Sequence, residues 1–579
     1  MNKDNTNAKR NIGSCKNIMV SFGVTIVFFI VLSVLYPSLY VLNDDLMIQS
    51  ILSGRISSPS FFSLYLSSEL GCIISLLYRI APALPWLGLF FQMVYVLCFW
   101  CVLYLLFSRV DIAFKETNNN TRIINKAVDT LICLLVFITI FWCGYSLIHY
   151  TVVAAVSAGT GIFLLLCAKE WKTGYIFSIV FLLLSYLIRE NIFLLAVPFA
   201  GLAYIYQLIL EKGKWLKKTW KYVMSAMIAF IVLFVGNRYF PGYEKYDEYR
   251  DYNEQRTRVY DYVWIYTDDN ATSYYLSQGV EEDIVKLYSN YDVMATMNIF
   301  SDSGMDYSKE ISQSQDILKA LESYGVIKNP EKSFLQKIKD AVYTVRHFML
   351  PNENLKTYEI FLIIGYIILC ICMISNKNYI GLLVPVCAVG GRFAIWSFFA
   401  YSGRYPDRVL ISTLLLETML LLGCICNNMS EKKKSLHIKY VFLGVTALLA
   451  ITFWNKCAGE YREAVNLNKA DDVLYSYMKE NSENMYYLDV YSVVYHSEYA
   501  VKDYDASFEN YMYLGGWITG HPLIEDKYDM VSGMDKYIVL KKDIGADKDL
   551  IERISGIKLE KQDEIYAESA VFEIYHIVE

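Results

Sequence analysis

The chain has 579 residues, of which 55% are hydrophobic and 19% charged, with a net charge of −6 and a mean hydropathy of +0.29. Ordinary soluble domains carry about 25% charged residues, so a disordered chain is excluded; because the apolar residues lie in long runs, so is a single soluble globule. The acidic balance gives a nucleic-acid partner no electrostatic support.

Residues 1–17 hold Lys3, Lys9, Arg10 and Lys16, and an apolar run begins at Ile18. The run is too long for the core of a signal peptide and lacks an A-x-A cleavage site, so it reads as a retained span over 18–40. Further spans are expected near 85–107, 127–144, 148–168, 174–188, 190–209, 222–240, 357–375, 378–400, 408–426 and 438–455, about eleven in all. Residues 61–84 are apolar enough to cross but contain Glu69, Arg79, Pro82 and Pro85. If they do not cross, the Lys-rich turns 108–126, 169–173, 211–221, 376–378 and 431–439 all share one side with the N-terminus, as cytoplasmic loops do. The first outer loop is therefore 41–84, carrying short surface helices. It belongs to an N-terminal transmembrane module, 18–240; the large outer loop 241–356, the C-terminal transmembrane helices 357–456 and an outer tail 457–579 follow.

The tail holds 25 acidic and 12 basic residues. Helices are expected at 470–480 and 548–555, and strands at 484–492, 536–541, 560–567 and 570–577, which makes a small α/β domain. Most of the thirteen Cys lie inside apolar runs, where Cys acts as a small hydrophobe; the six His are scattered and no zinc-type spacing appears. No cofactor is expected, and nothing in the spacing supports a divalent metal. The Tyr-rich stretch 239–262 reads as an interfacial aromatic belt.

Polar groups that lipid excludes carry the functional information. Asn43-Asp44-Asp45 follows the first span. Adjacent carboxylates at an apolar boundary raise each other's pKa and suit general-base chemistry, and Asp there equally suits a helix N-cap. Arg189 and Glu190 stand at the turn between the fifth and sixth spans, either as an interfacial ion pair or with Arg189 turned to an anionic headgroup. Arg392, Arg404 and Arg408 converge on one side, more than snorkelling requires, and Arg binds phosphate bidentately. Arg346, His347 and His149 complete the outer ring, His149 reading first as a hydrogen-bonded interface residue.

This layout, with a first outer loop that opens on acidic residues, a large outer loop after span seven and a soluble outer tail, resembles the GT-C class of integral membrane glycosyltransferases, which includes protein mannosyltransferases and aminoarabinose transferases. Local patterns resemble bacterial multi-span proteins of cell-surface polysaccharide loci: Asn43-Asp44-Asp45 with Ile51-Leu52-Ser53-Gly54, Leu77-Tyr78-Arg79, Asn253-Glu254-Gln255-Arg256 with Asp261-Tyr262, Gly403-Arg404-Tyr405-Pro406-Asp407-Arg408, and Leu514-Gly515-Gly516-Trp517. The resemblance implies a GT-C-like helical membrane fold in a bacterial plasma membrane, N-terminus cytoplasmic and C-terminus outside. It implies transfer of a sugar from a polyprenyl phosphate donor to a cell-envelope glycan or lipid acceptor. It gives Asp44 or Asp45 the base role and Arg189, Arg392, Arg404 and Arg408 the donor phosphate. Asp-Asp departs from the class's usual Asp-Glu or Asp-x-Asp, which leaves the base and any metal requirement open. The rival readings are a polysaccharide polymerase, a lipid-linked sugar exporter and a non-catalytic scaffold whose tail binds a partner.

Overall fold

The computed structural model describes residues 2–41, 43–114, 118–167, 172–210, 214–300, 306–329, 332–429, 433–493, 496–542, 544, 547–568 and 570–578. The chain opens with α1 (Asn2–Leu35), β1 (Leu39–Tyr40), α2 (Asn43–Ser53), α3 (Ser68–Ile80) and α4 (Trp86–Ala113). Next come α5 (Asn119–Val136), a π turn, α6 (Trp142–Ser146), β2 (Leu147–Ile148), α7 (Tyr150–Cys167), α8 (Lys172–Ile188), α9 (Glu190–Leu210) and α10 (Lys214–Arg238). An all-helical segment holds α11 (Asp247–Arg258), α12 (Asp269–Ser277), α13 (Glu282–Ser289), α14 (Tyr307–Lys328) and α15 (Phe334–Thr344). After α16 (Glu353–Ser375), α17 (Leu383–Ser402) and α18 (Asp407–Asn428), the 48-residue α19 (Lys433–Glu480) leads into the C-terminal sheet.

Ten of these helices are long and apolar enough to cross a membrane. The eleventh expected span, α8, is a shorter apolar helix packed within the bundle. It lies antiparallel to α7, with Ser178 Oγ donating to the Gly161 carbonyl and Ser157 Oγ to the Phe181 carbonyl. Arg189, just past its end, meets Tyr150 at the start of α7. Helices of this length span about 26 Å, the thin end of what a bilayer core requires. α7 is apolar all round and sits at the centre of the bundle, packed by α4, α8, α9 and α18.

α3 does not cross. The Ser68 N–H donates to Asn237 at the end of α10, and the Tyr78 hydroxyl accepts from the Leu87 N–H at the start of α4. Both of its ends therefore meet the same face, and Ile73, Leu76 and Ile80 are left exposed on its outer side, as on an interfacial helix. Within the expected outer loop 41–84, the described short helices are α2 and α3.

The tail forms one five-stranded sheet of β3 (Asn484–Leu488), β4 (Tyr511–Tyr513), β5 (Asp535–Lys541), β6 (Lys558–Ala567) and β7 (Ala570–Val578), in the order β4-β3-β5-β7-β6. β3 pairs in parallel with β4 and β5, and β7 runs antiparallel to β5 and β6. Two short helices, α20 (Pro522–Met530) and α21 (Lys548–Ser555), complete it. β3 is shorter than expected because Asp489 turns back to accept from the Ser492 N–H and hydroxyl. Ala470, Leu474 and Met478 of α19 cover one face of the sheet beside Leu488, Val539 and Phe572.

Loop 41–84, the helices α11–α14 and the tail pack together on one face of the bundle, while α15 packs on α17. The Met294 N–H donates to the Leu514 carbonyl, and the Tyr487 hydroxyl to the Ile299 carbonyl. Two glycines mark where backbones touch. A Cβ on Gly88 would stand 1.8 Å from the Ala500 carbonyl oxygen, and one on Gly515 1.5 Å from that of Tyr291. This docking overturns the aromatic-belt reading of 239–262. Tyr246, Tyr249, Tyr252 and Tyr260 are buried, with the Tyr249 hydroxyl donating to the Trp517 carbonyl and that of Tyr260 to the Tyr288 carbonyl. The tail and the neighbouring helices of the segment cover them; Tyr239 and Tyr262 are the exposed tyrosines of the stretch.

At the opposite face, Lys126 pairs with Asp111 and Lys439 with Asp129, both at 2.7–2.8 Å. Lys115, Lys169, Lys212 and Lys432 of the expected Lys-rich turns lie outside the described residues.

Candidate functional site

The site begins with the shortest strands. β1 and β2 pair in parallel, Leu39 opposite Leu147 and Tyr40 opposite Ile148. Each leads within two residues or so into a helix, so the N-termini of α2 and α7 start side by side. Asp44 and Asp45 occupy the first turn of α2, where acidic side chains complement the exposed N–H groups. Asp45 serves the neighbouring helix instead. Its Oδ1 accepts from the Tyr150 N–H at 2.8 Å, while His149 Nδ1 accepts from the Thr151 N–H at 2.9 Å. Both acceptors satisfy donors that the first turn of α7 would otherwise leave unpaired.

His149 Nε2 stands 3.8 Å from Asp45 Oδ2, with both groups buried. Burial pushes the Asp45 carboxyl well up, Asp44 adds to the rise, and the Tyr150 N–H with Arg408 and Arg189 pull the other way. Burial, then Arg408 and Arg189, push His149 well down and keep its ring neutral. Because Nδ1 accepts, the proton of that neutral ring sits on Nε2, facing Asp45.

Asp44 is the more open of the pair. Its Oδ2 lies 3.9 Å from Arg408 Nη2 in the first turn of α18, with the two side chains 12% and 26% exposed. Arg189 Nη1 donates to the Tyr150 hydroxyl at 2.6 Å, and its guanidinium lies 5.1 Å from the Tyr65 ring. Tyr65 stacks on Tyr150 at 5.2 Å and meets Trp517 edge-on at 5.1 Å. The buried Arg256 of α11 adds a third positive charge, felt by Tyr65 and Tyr249. Among the described residues, Asp45 Oδ2, His149 Nε2, Thr151 Oγ1 and Arg189 Nε are buried without a hydrogen-bond partner. A cluster with three guanidiniums, one less buried carboxylate and unfilled polar capacity can take an anion beside a proton donor.

The other expected residues stand elsewhere. Arg392 is paired within the bundle to Glu417 at 3.2 Å, and Glu417 also accepts from the Tyr366 hydroxyl. Sequence reading missed Glu417, a lone carboxylate in an apolar run whose only signal is that a membrane charge needs a partner. Arg404 pairs with Asp261 at 2.7 Å and clasps the turn between α17 and α18 to the end of α11. Glu190 faces Tyr186 beside Glu69 and Arg238. Arg346 and His347 are exposed, His347 stacked on Tyr343 at 4.1 Å. Tyr65 carried no sequence signal, whereas Arg256 and Trp517 lay in motifs noted above. The fold also gathers Cys143, Cys457 and Glu460, with ligand atoms within 4.8 Å of one another, a group able to hold a soft divalent ion that spacing along the chain does not reveal.

Fold and site define a polytopic helical membrane protein with a carboxylate–guanidinium cluster at one face of its helix bundle. No protein-family model, curated protein or solved structure matches the chain.

Proposed function

We propose that this protein is a GT-C-type glycosyltransferase of a bacterial plasma membrane, moving a sugar from a polyprenyl phosphate donor to a cell-envelope glycan or lipid acceptor on the outer face. The observation that carries the reading is the meeting of Asp44 with Arg408 and Arg189, residues from the first loop and two distant helix ends, in one cluster at one face of the bundle. The Lys-rich turns at the far ends of the spans support a cytoplasmic assignment for that opposite face, which leaves the N-terminus inside and the tail outside.

Asp44 takes the proton of the acceptor hydroxyl as its oxygen bonds to the sugar's anomeric carbon. The bond from that carbon to the donor phosphate breaks, and the electron pair leaves on the phosphate. Arg408 and Arg189 hold the charge that develops there. Asp45 and His149 keep α2 and α7 in register, which makes them positioning residues. Arg256 and Trp517, from the roof, exclude water and shape the acceptor side.

The test is sugar transfer from polyprenyl phosphate donor in membranes containing the full chain. Asp44→Asn is expected to lower the rate by about 10²–10⁴-fold, the usual worth of a general base, with the protein still folded; full activity would end the proposal. Lipid-linked intermediates in a deletion strain separate the rivals: loss of a side sugar supports transfer, single unpolymerised repeats indicate a polymerase, and repeats trapped on the inner side an exporter.

A further inference from the structure

Cys143 and Glu460 stand 317 positions apart in the chain, and the fold brings Cys143 Sγ to 3.2 Å from Glu460 Oε2. Cys457 joins them from the same face of α19 as Glu460, since helical residues three apart are neighbours. The three ligand atoms all lie within 4.8 Å of one another. Cys143 sits in α6, immediately after the π turn Phe137–Phe141. Such turns interrupt the α-helical register and recur at functional sites.

The group lies at the Asp44 face. α6 runs directly into β2, and the neighbours of Cys457 and Glu460 are tied down at the same level. Lys456 Nζ donates to the Glu353 carbonyl at the start of α16, and the Tyr461 hydroxyl to the Pro37 carbonyl. Aromatic packing holds α6 against α19: Trp142 stacks on Trp454 at 4.2 Å, with Tyr36 edge-on to both. The elements that bear the ligands are therefore fixed by contacts other than the ligands, as a preformed site requires. Cys457 is buried, whereas the Glu460 side chain is 36% exposed and gives an ion a way in.

A cysteine that serves only as a small hydrophobe gains nothing from a carboxylate beside it. Two thiols with one carboxylate suit a zinc-like ion, whereas magnesium and calcium take oxygen ligands. Around a tetrahedral ion with bonds of roughly 2.3 Å to sulfur and 2.1 Å to oxygen, the two ligand atoms stand roughly 3.5 Å apart. The Cys143–Glu460 separation of 3.2 Å is close to that. Entry of the ion releases one proton from each thiol to solvent, and the carboxylate binds as it is. The two thiolates balance the divalent charge, and Lys456, 3.8 Å from Glu460 Oε1, answers the carboxylate.

We propose that Cys143, Cys457 and Glu460 form a binding site for one thiophilic divalent ion of the zinc class, with water in the fourth position. The ion clamps α6 to α19, and so links the strand pair that positions Asp44 to the helix that carries the C-terminal sheet. The site shares no residue with the Asp44 cluster and stands whether or not the protein transfers a sugar.

The experiment titrates the full chain in detergent, reduced and stripped with a chelator, with cadmium, and follows the ultraviolet thiolate-to-cadmium absorption. Wild type is expected to bind one cadmium ion tightly, displaced by zinc and not by magnesium. Cys143→Ser and Cys457→Ser should each remove about half of the absorbance of that tight phase and weaken it at least about tenfold. The double variant should lack the tight phase and keep only weak binding at the remaining thiols. Glu460→Gln, which retains both thiols and the packing, should keep the absorption and bind about tenfold more weakly; it serves as the test where a serine variant melts early without metal. Zinc is expected to raise the melting temperature of wild type and not of the double variant. The proposal is overturned by absence of a tight phase in wild type, by an undiminished one in the double variant or in Glu460→Gln, or by a Cys143–Cys457 disulfide in protein whose thiols were alkylated in intact membranes before extraction. None of these results bears on Asp44.

Discussion

Arg55 and Arg189 are guanidiniums on the same face of the bundle, and their surroundings differ. Arg55 is buried and donates to both carboxylate oxygens of Glu498, at 2.7 and 2.6 Å, with Glu509 3.0 Å away. Glu509 also accepts from Ser50 Oγ, and its own N–H donates to the Arg55 carbonyl. Burial pushes the Glu498 carboxyl up, and Arg55 outweighs it, holding the pKa at about 2. In the cluster, Arg189 has one neutral hydroxyl partner, Asp44 stands 3.9 Å from Arg408, beyond hydrogen-bond length, and polar atoms of Asp45, His149, Thr151 and Arg189 are left over. Buried charge answered on every side fastens two parts of a fold together. Buried charge answered in part keeps binding capacity for something else.

The contrast is broken most sharply inside the cluster. Asp44→Asn is expected to cost about 10²–10⁴-fold in transfer, while Asp45→Asn, whose side-chain oxygen still accepts from the Tyr150 N–H, should cost less than about tenfold and leave the melting temperature level or raised, since a buried charge is removed. Equal losses in the two variants would show that the carboxylates act as one group.

At the fastening, Arg55→Ala leaves Glu498 and Glu509 without their cation and is expected to destabilise by about 3–5 kcal/mol. Thermal melting in detergent, together with protease release of the tail, measures it; a melting temperature within a degree of wild type would mean that docking rests on the backbone contacts instead.

Acid separates a third element. Burial pushes His521, at the N-cap of α20, down to about 4 from 6.5. The unfolded chain takes up a proton below about pH 6.5 and the folded chain does not, so stability falls by about 3 kcal/mol between pH 6.5 and 4. Glu498 titrates in the same sense at lower pH: its folded pKa is depressed, so its contribution is whole above 4.5 and is lost as pH drops toward 2. His521→Asn should flatten the melting-temperature profile between pH 6.5 and 4 and leave the steeper loss below it.

The smallest effect is expected at Arg404–Asp261, a half-exposed pair worth at most about 1 kcal/mol. Arg404→Gln should barely move the melting temperature, and a change in acceptor KM would mark the pair as a clasp on the roof.

Membrane insertion was legible along the chain because it depends on local composition. Each apolar run of about 20 residues must be a helix to satisfy its own backbone in lipid, and the alternation in the tail marked four of its five strands in the same way. Asp44, Asp45, His149, Arg189 and Arg408 were legible as polar groups in apolar surroundings. What each of them does was decided by closure in three dimensions. The β1–β2 pair assigned Asp45 to the N-terminus of α7, Glu417 claimed Arg392, and the docked tail turned the tyrosines of 239–262 inward. Tyr65, Arg55 and the Cys143–Cys457–Glu460 group acquire their partners from segments hundreds of residues away or from faces that only packing creates. A charge or an aromatic ring declares itself in sequence, but its partner is set by which surfaces the fold brings within a few ångströms, and no local period encodes that.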